Sequence, residues 1–104
     1  MEKYIVVMSN QAEKELSNII TYISSVLLEP NIAKNLLKKL TNTIDKLETL
    51  PERYSIISDE YTIRENIHKC FIDNYVIIYS INNKLKQVEI SHIFYARRNW
   101  MKLI

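Results

Sequence analysis

Residues 4–8, Tyr-Ile-Val-Val-Met, are rich in β-branched side chains and predict a strand. Ser9 and Asn10 interrupt the run, and Asn10 followed by Glu13 has the spacing of a capping box, which predicts a helix beginning at Asn10. Apolar residues then recur at Ala12, Leu16, Ile19, Ile20, Ile23, Val26 and Leu27, intervals of three and four that set one stripe on a helical face. The helix is expected to stop at Glu29 and Pro30, because a residue before proline is disfavoured in the helical region. Pro30 suits the first turn of a second helix, where its missing N–H is no loss. That helix carries the stripe Ala33, Leu36, Leu37, Leu40, Ile44 and Leu47 and ends at Leu50 and Pro51. Two amphipathic helices with so short a connection run antiparallel, and the apolar surface left over calls for a sheet.

Residues 52–60 are mixed in character and predict a turn with a short extended piece, with Asp59 and Glu60 as a solvated pair. From Tyr61 the pattern becomes that of strands. Residues 61–70 and 71–81 are dense in Ile, Val, Tyr and Phe, and 85–95 form a return strand. Asn82 and Asn83 predict a two-residue turn, since Asn tolerates positive φ better than most residues. The expected fold class is α+β: an N-terminal strand, an antiparallel two-helix hairpin, then a three-stranded antiparallel C-terminal sheet with the helices on one face. A tail of residues 96–104 follows. The chain reads as a single domain over 1–104, without repeats or linkers.

Composition narrows the chemistry. The 104 residues are 47% hydrophobic and 25% charged, as in an ordinary globular domain. A domain of this size buries roughly 65% of its unfolded surface, enough for one core but not for a large enclosed cofactor site. The chain has no glycine, which excludes glycine-dependent phosphate loops. Cys70 has no partner for a disulfide, and with His68 and His92 it falls short of a zinc site, so neither metal nor cofactor is expected. A lone cysteine and the lack of a leader or long apolar run suit a cytoplasmic protein without membrane contact. Residues 1–60 carry seven basic and nine acidic side chains, whereas 61–104 carry seven basic and three acidic. The second part can therefore face an anionic partner.

The most informative segment is Tyr95-Ala96-Arg97-Arg98-Asn99-Trp100. Adjacent guanidiniums beside aromatic rings can hold phosphates and stack bases, or clamp a carboxylate-rich protein surface. Trp100 can equally close the core. Arg64, His68 and Lys69 lie on or near one strand, with 64 and 68 on the same face by alternation, and His68 is a possible acid or base. Tyr75 and Tyr79 share a face and suit packing with hydroxyls at a polar rim. Cys70 reads as a small buried hydrophobe. His92 alternates with Val88, Ile90 and Phe94, which places all four on one face.

Taken in order, several segments resemble a known family. They are the helix start Gln11-Ala12-Glu13, the second start Pro30-Asn31-Ile32-Ala33, Leu50-Pro51-Glu52-Arg53-Tyr54, Ile63-Arg64, Asn74-Tyr75-Val76-Ile77-Ile78-Tyr79 and the Tyr95 to Trp100 run. Together they resemble a RelE/ParE-type toxin of a bacterial type II toxin–antitoxin module. The resemblance implies growth inhibition by one of two routes, ribosome-dependent mRNA cleavage or poisoning of DNA gyrase. It also implies a cognate antitoxin as hetero-oligomeric partner, with ribosome and mRNA or gyrase as target. In the cleavage route, Lys69, Arg97, Arg98 and Arg64 would hold and stabilise the scissile phosphate, with Tyr75, Tyr95, His68 and Trp100 as binding residues. Many nuclease members carry Arg where this chain has Val76, a lysine cluster where 51–69 has none, and a C-terminal tyrosine where this chain has Trp100. The closely joined helices look more like the ParE branch, which needs no catalysis. An inert antitoxin-binding module is the alternative.

Overall fold

The computed structural model describes residues 3–54, 56–58 and 63–103, without the side chains of 56–58 and 63–66. The Asp59 and Glu60 pair lies outside the described residues, as does the side chain of Arg64.

Strand β1, Ile5–Met8, leads into helix α1, Asn10–Thr21. Its cap is Ser9 rather than Asn10: Ser9 is extended, and its Oγ accepts the Ala12 N–H at 3.0 Å. Counted from Ser9, the third residue is the buried Ala12, so no side chain reaches back to complete a capping box. Beyond Thr21 the helix widens into a π-turn, Tyr22–Val26, in which Leu27 N–H donates to Tyr22 O at 3.0 Å. The extra residue per turn rotates Val26 and Leu27 off the buried stripe, so both are exposed although their spacing placed them in the core. Leu28, in the left-handed region at φ 55°, ends the helix ahead of the proline. Helix α2, Pro30–Leu47, starts on its proline and buries Ala33, Leu36, Leu40 and Leu47.

Among the described residues, five strands make one sheet in the order β1-β5-β4-β3-β2. β2, Ile56–Ser58, forms one edge, where the sequence pattern shows only an extended piece. β3, Ile63–Ile72, and β4, Tyr75–Asn82, pair with Ile72 opposite Tyr75, so Asp73 and Asn74 make the turn rather than the expected boundary at 70 and 71. β5, Gln87–Tyr95, returns antiparallel to β4. Asn82 stays paired with Gln87, and the connection is the four residues 83–86, not a two-residue Asn turn. Asn82 instead uses its Oδ1 to accept Leu85 N–H, and Lys86 takes the positive φ. β1 lies parallel to β5, with Val6 opposite Val88 and Met8 opposite Ile90. The sheet is therefore mixed rather than wholly antiparallel. A parallel pair requires a long crossover, and the helical hairpin lies in the connection.

A bulge in β5 sorts the core into two layers. Ile78 pairs with His92 but Tyr79 pairs with Ile90, so Ser91 has no partner and the face inverts. Before it, Val88 and Ile90 join the helices; after it, Ile93 does. Phe94 falls on the opposite face with Val76, Ile78 and Trp100, and His92 stacks on it. The expected common face of Val88, Ile90, His92 and Phe94 is thus split by one inserted residue. The outer layer is closed by the tail, whose 3-10 turn Trp100–Leu103 folds back over Val76 and Ile78.

Two substitutions test this packing. Leu40→Ala, at a fully buried site, should lower unfolding free energy by about 2–5 kcal/mol in urea titrations. Ser9→Ala should cost about 1 kcal/mol through the lost cap.

Candidate functional site

The end of β5 turns sharply. Ala96 N–H donates to Asn74 O at 2.7 Å, Arg98 N–H to Tyr95 O at 3.0 Å, and Trp100 N–H to Arg98 O at 2.7 Å. These bonds throw Arg97, Arg98 and Asn99 outward while Trp100 returns to the sheet and is only 8% exposed. Neither arginine has an ion pair among the described residues. Lys102 is exposed nearby in the chain. Lys69 lies half-buried with its ammonium 6.0 Å from the Phe71 ring centre, and Phe71 meets Trp100 edge to face at 6.2 Å. One face thus presents cations around an aromatic rim whose largest ring is sealed.

The other predicted residues fall elsewhere. His68 is on the helix side of the sheet, 4% exposed, stacked on Tyr79, with Nδ1–H donating to Tyr54 O at 2.8 Å. The sheet separates it from the Lys69 face. Beside it the Tyr79 hydroxyl donates to Pro51 O at 2.6 Å, and burial holds that phenol well above its usual range. The Cys70 thiol, buried against the Tyr54 hydroxyl, is likewise raised by desolvation, and Tyr54 by burial and then by the thiol. Tyr79, Cys70 and Tyr54, held neutral in this way, and the hydrogen-bonded His68 form a satisfied polar patch on the helix side of the sheet.

Tyr75 and Tyr95 do come together, as opposite residues with ring centres 5.7 Å apart. Burial raises the Tyr75 hydroxyl, helped by the neighbouring Tyr95 and Tyr22. With Asn18, Ile19, Tyr22, Leu27 and Asn74 they line a groove of about 660 Å³. A second groove of about 390 Å³ continues from Leu27 and Tyr75 to Ile32 and Leu36. Tyr22, Val26, Leu27, Leu28 and Ile32 are all exposed around this hairpin tip, a cluster of apolar side chains left facing solvent. Periodicity assigns Val26 and Leu27 to the core and so hides the patch; the one sequence signal for it was the unbroken Val26-Leu27-Leu28 run just before Pro30.

Glu15 also escapes sequence reasoning. Its carboxylate lies 3.2 Å from His92 Nδ1 and accepts Ile93 N–H at 3.0 Å. With Gln11, Asn18, Phe94 and Arg98, the Glu15 and His92 pair lines a polar groove of about 320 Å³ at the base of the basic turn. No group of three His, Cys, Asp or Glu among the described residues could hold a metal ion, and no helix among them is long and apolar enough to cross a membrane.

Residues 6–100 match the sequence profile of the ParE toxin of the type II toxin–antitoxin system parDE. Among solved structures, the chromosomal ParDE system of P. aeruginosa is similar at a TM-score of 0.70 and 13% identity, covering 89% of this chain and 96% of that one. The archaeal RelE–RelB complex of Pyrococcus horikoshii is similar at 0.65 and 23%, covering 92% and 98%. The isolated E. coli RelE toxin is similar at 0.57 and 16%, covering 96% and 92%. At such identities these likenesses speak for the fold. No curated protein matches the sequence.

The raised thiol and phenols have a pH consequence. An unfolded chain ionises Cys near 8.5 and Tyr near 10, whereas the native protein holds Cys70, Tyr54, Tyr75 and Tyr79 neutral to higher pH. Above roughly pH 8.5 the unfolded state binds fewer protons, so stability must fall as pH rises. Urea midpoints should decline from about that pH upward, and Cys70→Ala should delay the decline toward about pH 10. A flat profile through pH 10 would reject the assignment.

Proposed function

The chain belongs to the ParE toxin family of type II toxin–antitoxin systems, and on that premise we propose that it arrests growth by poisoning DNA gyrase through the turn bearing Arg97 and Arg98. The observation that carries this reading is the pair of outward guanidiniums without an ion pair among the described residues, set beside a sealed indole. Free cations of this kind suit a large anionic partner, protein or nucleic acid backbone. Proton-transfer chemistry finds little support around them: Trp100 is buried and its indole is neither acid nor base near neutral pH, and His68 lies across the sheet. The Val76 side chain is wholly inside the outer core layer, so the position where nuclease members carry Arg is here a packing position.

A second reading, mRNA cleavage on the ribosome, has one observation in its favour. His92 shares a groove with Arg98, which sets a group able to move a proton beside one able to hold a phosphate.

Neutralisation is assigned to the other surface. The hairpin-tip groove, with Tyr22, Leu27, Tyr75 and Tyr95, offers exposed rings and aliphatic side chains of the sort that anchor a partner segment. A cognate antitoxin would lay an apolar stretch there and extend acidic residues toward the basic turn. Affinity for it should fall as salt rises.

Expression without antitoxin should arrest growth. The double variant Arg97→Ala with Arg98→Ala should weaken the arrest by about tenfold or more, a loss of roughly 1.4 kcal/mol in target binding. Purified protein should block supercoiling by gyrase while transcript ends stay intact; unchanged supercoiling with cut transcripts would replace this reading with the second. Growth unaffected by the native chain would reject both. Leu27→Asp should keep toxicity but weaken antitoxin binding by about 2 kcal/mol or more, read by calorimetry and by failed rescue on co-expression.

A further inference from the structure

We infer that Glu15 is the positioning residue of the basic turn: its carboxylate fixes the end of β5 from which Arg97 and Arg98 project. The inference rests on the reading of that turn as the element that meets the target.

The need for such a group arises from where β1 stops. Its last pair with β5 is Met8 opposite Ile90, and from Ser91 onward β5 has no strand on that side among the described residues. Backbone groups on an abandoned edge must find other partners or lose free energy. The start of α1 supplies them in sequence. Ser9 N–H donates to Ile90 O at 2.9 Å, and Ser9 Oγ–H to Ser91 O at 3.0 Å. Nearly two turns further on, Glu15 Oε1 accepts Ile93 N–H at 3.0 Å.

The same carboxylate holds the neighbouring ring. Both oxygens lie 3.2 Å from His92 Nδ1, and Gln11 Nε2 donates to Oε2 at 3.3 Å. A carboxylate only accepts, so Nδ1 carries the proton. Side-chain exposures of 23% for His92 and 16% for Glu15 keep this pair largely out of solvent. His92 in turn stacks on Phe94 with ring centres 4.6 Å apart, and Phe94 packs in the cluster that holds Trp100. The turn with the arginines is suspended between Tyr95 and Trp100. Glu15 therefore grips the strand immediately before the turn, through both its backbone and its ring. Arg98 lines the same groove without an ion pair to Glu15, so the carboxylate acts on the turn through the strand and the ring.

The test is potency, read as the toxin dose that arrests growth under graded expression. Displacing a reacting or binding group by a fraction of a turn is costly, so Glu15→Ala should require about tenfold more protein, with the helical circular dichroism unchanged. Glu15→Gln still accepts Ile93 N–H through Oε1 and should recover most of the loss. That oxygen also lies within reach of His92 Nδ1, so nitrogen-15 spectra should show the Nδ1 proton kept in this variant and lost from Nδ1 in Glu15→Ala. A simple loss of stability would not move that proton. Should Glu15→Ala fail to fold, His92→Gln, which leaves the Ile93 bond in place, should still weaken arrest by about threefold.

Folded Glu15→Ala acting at the native dose overturns the inference, as does native potency in His92→Gln if the alanine variant is lost. The double arginine variant separates the two levels. If it is inactive while the Glu15 variants are native, only the positioning role falls. If it is itself fully potent, the reading of the turn falls and the positioning role with it.

Discussion

Burial of β4 on both faces is the constraint on which the rest of the structure depends. Every residue from Val76 to Tyr79 is inaccessible, with Ile77 and Tyr79 facing the helices and Val76 and Ile78 facing the tail. A strand this apolar needs two covers. The helical hairpin supplies one and the returning Trp100 the other. Because the second cover is only a few residues long, the chain must reverse tightly after Tyr95, and the polar residues of that reversal have nowhere to go but outward. The exposed arginines are thus a by-product of closing the outer core layer. Fold and candidate function meet in the same turn.

The edge of the sheet obeys a related rule. β1 is short, and the ends of α1 and β5 meet where it gives out. Side chains of α1 serve as surrogate strand partners there, so the first helix is tied to the sheet by polar bonds on one side and by Ala12 and its apolar stripe beneath. His92 and Phe94 can face the outer layer only because Ser91 is skipped. Strand, helix and tail converge on this point, and the basic turn inherits its geometry from all three.

Periodicity in the sequence was enough to find both helices, the first strand and the three long strands, because each carries a repeat long enough to see. It failed where one residue is added. The π-turn at Tyr22–Val26 and the bulge at Ser91 each insert a single residue: the first turns Leu27 out to solvent, and the second moves the buried Phe94 to the opposite face of the sheet. No spacing rule announces such insertions. The Asp73 and Asn74 turn was legible from its residue types, but the apolar density on either side drew the boundary three residues too early. Among the site residues, the exposure of Arg97 and Arg98 was readable from their place after the last strand. The partnership of Glu15 with His92 was not, since 77 positions separate them and only the bulge brings the imidazole to the right side.

Among the described residues three occupy the left-handed region, Leu28, Asp73 and Lys86, and none is glycine because the chain has none. Each strains its backbone slightly in the native state. The absence has a compensating effect in the denatured ensemble. A polymer whose every unit carries a Cβ samples fewer backbone states before it collapses, so it surrenders less entropy per residue on folding. A two-layered core built by so short a polypeptide draws part of its stability from disorder it never had.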